Sequence, residues 1–168
     1  MKKLHLGCGH KYKEGWINLD FGNKDIYGEE IKVDVIHDLN KFPYPFKDNS
    51  FDRLLTEHTI EHLDDLEKVF SELVRITKSG GKIKIIVPYF SHYASFRDPT
   101  HKHYFSLDTI TYFKGFKVTS KKLSFSHNKT LKKIFNPLIN LNYRIYERFF
   151  SYILPAEECI WIIEPLKK

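Results

Sequence analysis

Lys3-LHLGCGHKYKEGWINL-Asp20 opens the chain with two short apolar runs and a pair of glycines between them. The first run ends at Leu6 and breaks into Gly7-Cys8-Gly9; the second, Trp16 to Leu19, ends on the carboxylate of Asp20. A strand that runs into glycines makes a turn whose backbone N–H groups a ligand can approach closely. A carboxylate at the tip of the next strand is placed to accept hydrogen bonds from a ribose diol. Together they point to a nucleoside-bearing cofactor at the carboxyl edge of a parallel sheet; Gly-x-Gly alone is weak evidence. Only six residues, His10 to Gly15, separate Gly9 from Trp16, fewer than a helical crossover needs. Either the first helix is reduced to a turn or the two strands are not a standard parallel pair.

Further strands are read at Lys32–His37, which alternates with period two, at Phe51–Thr56, Lys82–Val87, Phe116–Phe125 and finally Ile160–Ile163. Pro43 and Pro45 keep Phe42–Phe46 extended, and Asp48-Asn49-Ser50 is a turn. The clearest helix carries Leu63, Leu66, Phe70, Leu73, Val74 and Thr77 on one stripe, acids in its first turn and Arg75 and Lys78 in its last. Gly80-Gly81 is read as its stop. A short helix is expected over Ser106–Phe113, and Ser91–His103 is a polar, histidine-rich loop. Ser126–Pro155 has helical spacing in two parts, interrupted by Pro137. This alternation predicts a three-layer α/β fold in one domain, residues 1–168, with a helical insertion at 126–155 before the last strand.

No run approaches the roughly 20 apolar residues of a membrane span. Met1-Lys2-Lys3 is followed by glycines and polar residues instead of the apolar stretch of a signal peptide, so a cytoplasmic protein is expected. Cys8 and Cys159 stand far apart and outside any CxxC, against a disulfide framework or a structural zinc site. Residues 1–109 hold 16 Lys and Arg against 17 Asp and Glu, and residues 110–168 hold 11 against 4. The basic character therefore belongs to the last third, which reads either as a surface for an acidic partner or as a solvated lysine face.

LHLGCG at 4–9, the acid at Asp20, Asp38-Leu39, FDRLLTEHTIEHL at 51–63 and ELVRITKSGGKIKIIVP at 72–88 together resemble the class I S-adenosylmethionine-dependent methyltransferases. Small bacterial and archaeal members with GWINLD and PYPF-x-DNSFD segments are the most similar. The resemblance covers about residues 3–125 and implies a Rossmann-like sheet that binds S-adenosylmethionine. By position, Leu6, Gly7, Cys8 and Gly9 would line the cofactor's amino-acid end. Asp20 would bind both ribose hydroxyls with Phe21 nearby, Asp38 would meet the adenine amino group and Leu39 its face. Glu57 and His58 would lie near the reactive methyl. Lys11 departs from the pattern, standing where a third loop glycine is usual. The implied activity is methyl transfer to oxygen or nitrogen of a small-molecule or saccharide-type acceptor, with no metal. A non-catalytic module that only binds the cofactor would carry the same residues.

Methyl transfer from a sulfonium chiefly needs alignment and exclusion of water, with a base when the acceptor is a hydroxyl. His101 and His103 are the candidates for that base, followed by His92; both equally suit ordering the loop through its backbone. His58-Thr-Ile-Glu61-His62 also fits H-x-x-E-H, a zinc-hydrolase pattern. Here it straddles a strand exit and a helix start, so its histidines need not face each other. The aromatic, basic 126–155 segment reads as a lid, a homodimer surface, or a patch for an anionic polymer or membrane. No recognisable nucleic-acid module is present.

Overall fold

The computed structural model describes residues 1–25, 28–125 and 128–167; Ser126 and His127, the first two residues of the expected insertion, lie outside them. Among the described residues one sheet contains β1 (Lys3–Leu6), β2 (Ile17–Asp20), β3 (Val35–Ile36), β4 (Phe51–Glu57), β5 (Thr77–Pro88), β6 (Phe116–Ser124) and β7 (Glu158–Pro165). Their order is β3-β2-β1-β4-β5-β7-β6, with only β7 reversed. β1 and β2 are a parallel pair, Leu4 opposite Ile17 and Leu6 opposite Leu19, so the short crossover lacks its helix. The order reverses direction at β1 and β4, whose carboxyl tips therefore border the crevice where such sheets bind ligands.

The helices are α1 (Leu66–Ile76), α2 (Ala94–Arg97), α3 (Lys129–Leu141) and α4 (Tyr143–Phe149), with a 3-10 turn at Ile60–His62 and another at Thr109–Tyr112. None is long and apolar enough to cross a membrane. α1 starts at its cap Asp65, whose side chain accepts the Lys68 N–H at 3.0 Å. It buries Leu66, Val69, Phe70, Leu73 and Ile76 in the cluster that holds Leu4, Leu54 and Ile83. It ends at Ile76, and Gly80-Gly81 lie inside β5 instead of stopping the helix. A Cβ on Gly81 would sit 2.7 Å from Thr77 Cγ2 and 2.9 Å from the Lys78 carbonyl, so the glycine serves the bend where β5 takes up its pairing with β4. Arg75, bidentate on Glu72 at 2.7 Å for both bonds, also donates to the Tyr44 and Phe46 carbonyls and so fixes the proline-bracketed segment.

α3 runs straight through Pro137, where an interruption was expected. Two asparagines dock it on the outer edge of the sheet. Asn136 Oδ1 accepts the Phe125 N–H and Asn140 Oδ1 the Leu123 N–H, each at 2.8 Å. These bonds occupy edge groups that would otherwise be open to another strand.

The apolar side chains buried by the helices all join the cluster on one face of the sheet. On the other face His5, Leu55, Lys84 and Ile162 stand in register, and the loop through Trp16 packs over it. The third layer thus shrinks to a loop whose Trp16 packs on Leu55, Ile86 and Ile160. Fully buried Asn18 takes the place of the missing helix. Its Nδ2 donates to the Lys13 and Trp16 carbonyls, both at 3.1 Å, and to Asp34 Oδ2 at 3.0 Å, while Oδ1 accepts the Lys13 N–H at 2.9 Å. Asn18→Leu, alike in branching though larger, strips all four bonds and should lower the unfolding free energy by about 2–4 kcal/mol in urea titration. A change within about 0.5 kcal/mol would show that the crossover is held by something else.

His5 is also fully buried on this face, and neither ring nitrogen has a hydrogen bond among the described residues. Burial, then the Lys13 charge, press its pKa down to about 4, against the pull of Glu57 and of the neighbouring Asn18 side chain and with a further push from Lys11. Because the folded value is depressed, the unfolded chain takes up the proton first. The contribution to stability is complete above about pH 6.5 and lost as pH falls towards 4. The urea midpoint should fall across that window, and the fall should flatten in His5→Leu.

Candidate active site

The tip of β1 meets the exit of β4 at Gly7. This residue has φ 65°, and a Cβ there would lie 2.2 Å from Thr59 Oγ1; only glycine fits. Gly9, φ 47°, is the opposite case, since a Cβ would meet nothing within 4 Å. In front of it the crevice is open. The Gly9 N–H donates to Asp20 Oδ2 at 2.8 Å and the Phe21 N–H to Asp20 Oδ1 at 2.8 Å. Each carboxylate oxygen is therefore fixed by one N–H and keeps a further acceptor site, the arrangement a diol requires.

Phe21 and Ile36 leave exposed apolar side chains at the tips of β2 and β3, beside Asp38, whose Oδ1 accepts the Asn40 N–H at 3.0 Å. The side chains of Leu6, Cys8 and Leu39 turn into the core. In this structure their backbone, more than their side chains, borders the crevice. The Cys8 thiol is pushed up to about 11 by burial and then by Asp20, so it is inert as a nucleophile. Lys11 Nζ reaches Glu57 Oε1 at 2.7 Å across the tips of β1 and β4. Burial opposes the Glu57 charge, but Lys11 outweighs it and keeps the carboxyl below its ordinary value. The replaced third glycine has thus become one half of an ion pair at the mouth of the crevice.

β4 leaves the sheet through His58, φ 54°. There a cavity of about 550 Å³ opens between the 3-10 turn at 60–62, the end of β5, the start of β7 and segment 92–101. His58 Nε2 lies 3.0 Å from Glu158 Oε1, and its Nδ1 lies 3.6 Å from Glu61 Oε1. Burial works against the charge, yet Glu158 and Glu61 prevail and hold the imidazole up at about 9. It is a cation at neutral pH, not a base.

The two candidate bases part company. His101 lines the cavity, its Nδ1 donating to the Ser95 carbonyl at 2.8 Å. His103 does not line it: its Nε2 donates to the Leu63 carbonyl at 2.8 Å, a bond that orders the loop. His92 lines the cavity. The H-x-x-E-H site does not form, because His58 turns to Glu158 while the His62 ring packs edge-on against His101, centroids 4.7 Å apart. None of the lining residues comes from 128–155; the insertion only borders the site, where Ser91 Oγ donates to the Ser151 carbonyl at 2.6 Å. Sequence reasoning missed Thr59 and Asn18, whose close approach and buried amide leave no local pattern, and saw Lys11 as a broken motif without its partner Glu57.

An open sheet with this strand order, a glycine turn after β1 and an acid closing β2 defines a Rossmann-like fold. A family profile described as methyltransferase domain matches residues 4–85. The chain is 45% identical over 87 residues to ajmaline N-methyltransferase from Rauvolfia serpentina, 51% of this chain and 29% of that enzyme. It superposes on a SAM dependent methyltransferase from Archaeoglobus fulgidus with TM-score 0.64 at 22% identity, covering 97% of this chain and 85% of that one. With the [4+2]-cyclase SpnF the TM-score is 0.63 at 13% identity, over 98% and 74% of the two chains. Residues 4–85 thus carry a match to a methyltransferase domain, and the fold is one shared with solved S-adenosylmethionine-dependent methyltransferases. The chain's matches span less than a third of the length of the curated relatives.

Proposed function

We propose that this chain transfers the methyl group of S-adenosylmethionine to an oxygen or nitrogen of a small polar acceptor held in the cavity beside His58. The carrying observation is Asp20, buried, fixed by two N–H groups and fronted by open space at Gly9. When bound, the cofactor would supply an electrophilic sulfonium methyl group for the acceptor's lone pair, with the thioether as the leaving group and the acceptor's proton passing to solvent. The chain's own residues bind and orient. Asp20 takes both ribose hydroxyls, Phe21 and Ile36 flank the adenine, and Asp38 accepts from its amino group. Lys11 and Glu57 separate to meet the carboxylate and ammonium of the amino-acid end, a cation and an anion for a zwitterion.

The cavity's carboxylates, His58, Arg97 and His101 suit a polar acceptor. Relatives named N-methyltransferases favour nitrogen. A second reading is a chain that binds the cofactor without methylating, supported by the similar fold of a cyclase. The test incubates the chain with S-adenosylmethionine and a panel of small amines and polyols, following S-adenosylhomocysteine. Acceptor-dependent product, absent in Asp20→Ala, is expected; tight cofactor binding with no turnover on any acceptor supports the second reading. The exposed Leu138, Leu141, Ile145, Phe149 and Ile153 of α3, α4 and the following turn support residues 126–155 as a homodimer surface, which sedimentation velocity reads directly.

A further inference from the structure

We infer that Glu61, His62 and His101 bind one divalent first-row metal ion on the wall of the acceptor cavity. The sequence reading expects no metal; the side chains argue for one. A potential ligand atom from each of the three lies within 4.8 Å of the others. Two backbone bonds clamp the contributing segments together, the Lys102 and His103 N–H groups both donating to the Glu61 carbonyl at 2.8 and 3.2 Å.

Glu61 is 0% exposed, and among the described residues neither carboxylate oxygen has a hydrogen-bond partner. Its charged neighbour is His58 Nδ1 at 3.6 Å, too far for a hydrogen bond. The imidazolium of His58 offsets part of the Glu61 charge, but the carboxylate oxygens still lack close donors, a state that is unfavourable in a buried site unless something else meets their lone pairs.

The tautomers of both imidazoles follow from their partners. His101 Nδ1 faces the Ser95 carbonyl at 2.8 Å, which can only accept, so that nitrogen carries the proton. His62 Nδ1 faces Thr100 Oγ1 at 2.8 Å, and the Thr100 hydroxyl gives its own hydrogen to Asp98 Oδ1 at 2.7 Å. Thr100 therefore accepts, and His62 Nδ1 is protonated too. Each ring is left with its lone pair on Nε2 and its other nitrogen anchored, the arrangement of metal-bound histidines.

Two imidazoles and one carboxylate suit zinc and its first-row neighbours over magnesium or calcium, which prefer all-oxygen shells. Zinc bonds of about 2.0–2.2 Å place tetrahedral ligand atoms roughly 3.4 Å apart, a closure that side-chain rotation supplies. Three protein ligands leave a position open to the cavity, where an acceptor oxygen or nitrogen can be held. That last role rests on the methyl-transfer reading; metal binding does not. The other cluster of potential ligands, His10, Asp25 and Glu29, has His10 paired with Asp25 at 2.9 Å near the surface and serves as a control.

The test uses the full chain, stripped with a chelator, dialysed against zinc and desalted, with zinc counted by mass spectrometry and affinity read by competition with a chromophoric chelator. One zinc per chain is expected. His62→Ala and His101→Ala should each weaken binding by at least about 100-fold, and Thr100→Val, which removes only the anchor of His62, by about 10–100-fold. His10→Ala should change nothing. Circular dichroism and S-adenosylhomocysteine affinity on the same samples separate loss of the site from misfolding. Failure to bind S-adenosylhomocysteine would overturn the cofactor reading and leave the metal site standing. No zinc on the wild type, stoichiometric zinc on the His62→Ala/His101→Ala double variant, or its loss in His10→Ala would overturn the site.

Discussion

Asp20→Ala should weaken S-adenosylhomocysteine binding by at least about a hundredfold. The carboxylate would accept two charge-assisted hydrogen bonds from the ribose, each contributing about 1.5–3 kcal/mol, and a hundredfold corresponds to about 2.7 kcal/mol. The variant also leaves the Gly9 and Phe21 N–H groups without their acceptor, so a smaller loss of stability, about 1–2 kcal/mol, should accompany it. Asp20→Asn separates the two effects. It keeps the shape and one acceptor oxygen but presents an amide N–H to one partner, so it should retain most stability while losing roughly tenfold in affinity. Calorimetry gives the affinities and urea titration the stabilities. Affinity unchanged in Asp20→Ala would remove the ribose assignment.

The second large effect is a contrast between two glycines two residues apart. Gly7→Ala drives a methyl group into Thr59 at 2.2 Å while holding an L-residue at φ 65°. β1 and β4 cannot both keep their places, and about 2–4 kcal/mol of stability should be lost. Gly9→Ala meets nothing within 4 Å, so only the left-handed backbone is strained and stability should fall by about 1 kcal/mol. Its methyl group, however, fills the open space beside Asp20 and should remove cofactor binding. Gly7→Ala thus reads mainly in the urea midpoint and Gly9→Ala mainly in the binding isotherm. Equal stabilities for the two variants would contradict the tight approach at Thr59.

The strands around Asp20 and the stripe of α1 were legible because period-two and period-3.6 patterns are local. Glycine signals were less specific. Gly80-Gly81 looks the same whether it stops a helix or lets a strand bend, and the choice was made by Thr77 pairing with Phe51. Motif position also does not give side-chain direction, so Leu39 and Cys8 matched the family yet face the core. The short crossover was visible in the spacing of Gly9 and Trp16; its replacement by Asn18 was not, because four hydrogen bonds from one amide leave no sequence pattern. His62 and His101 lie far apart in the chain and meet only when the loop after β5 folds across the exit of β4. The split between His101 and His103 arises there too, since two residues along an irregular loop are enough to turn one ring to the cavity and the other to the Leu63 carbonyl.

On the reading proposed above, the crevice at Gly9 and Asp20 holds S-adenosylmethionine. Calorimetric titration of the chain with S-adenosylhomocysteine tests it most directly. Saturable binding at one ligand per chain, lost in Asp20→Ala, is the expected result. A folded wild-type chain that shows no binding at millimolar ligand, about the weakest affinity worth a site, would contradict it.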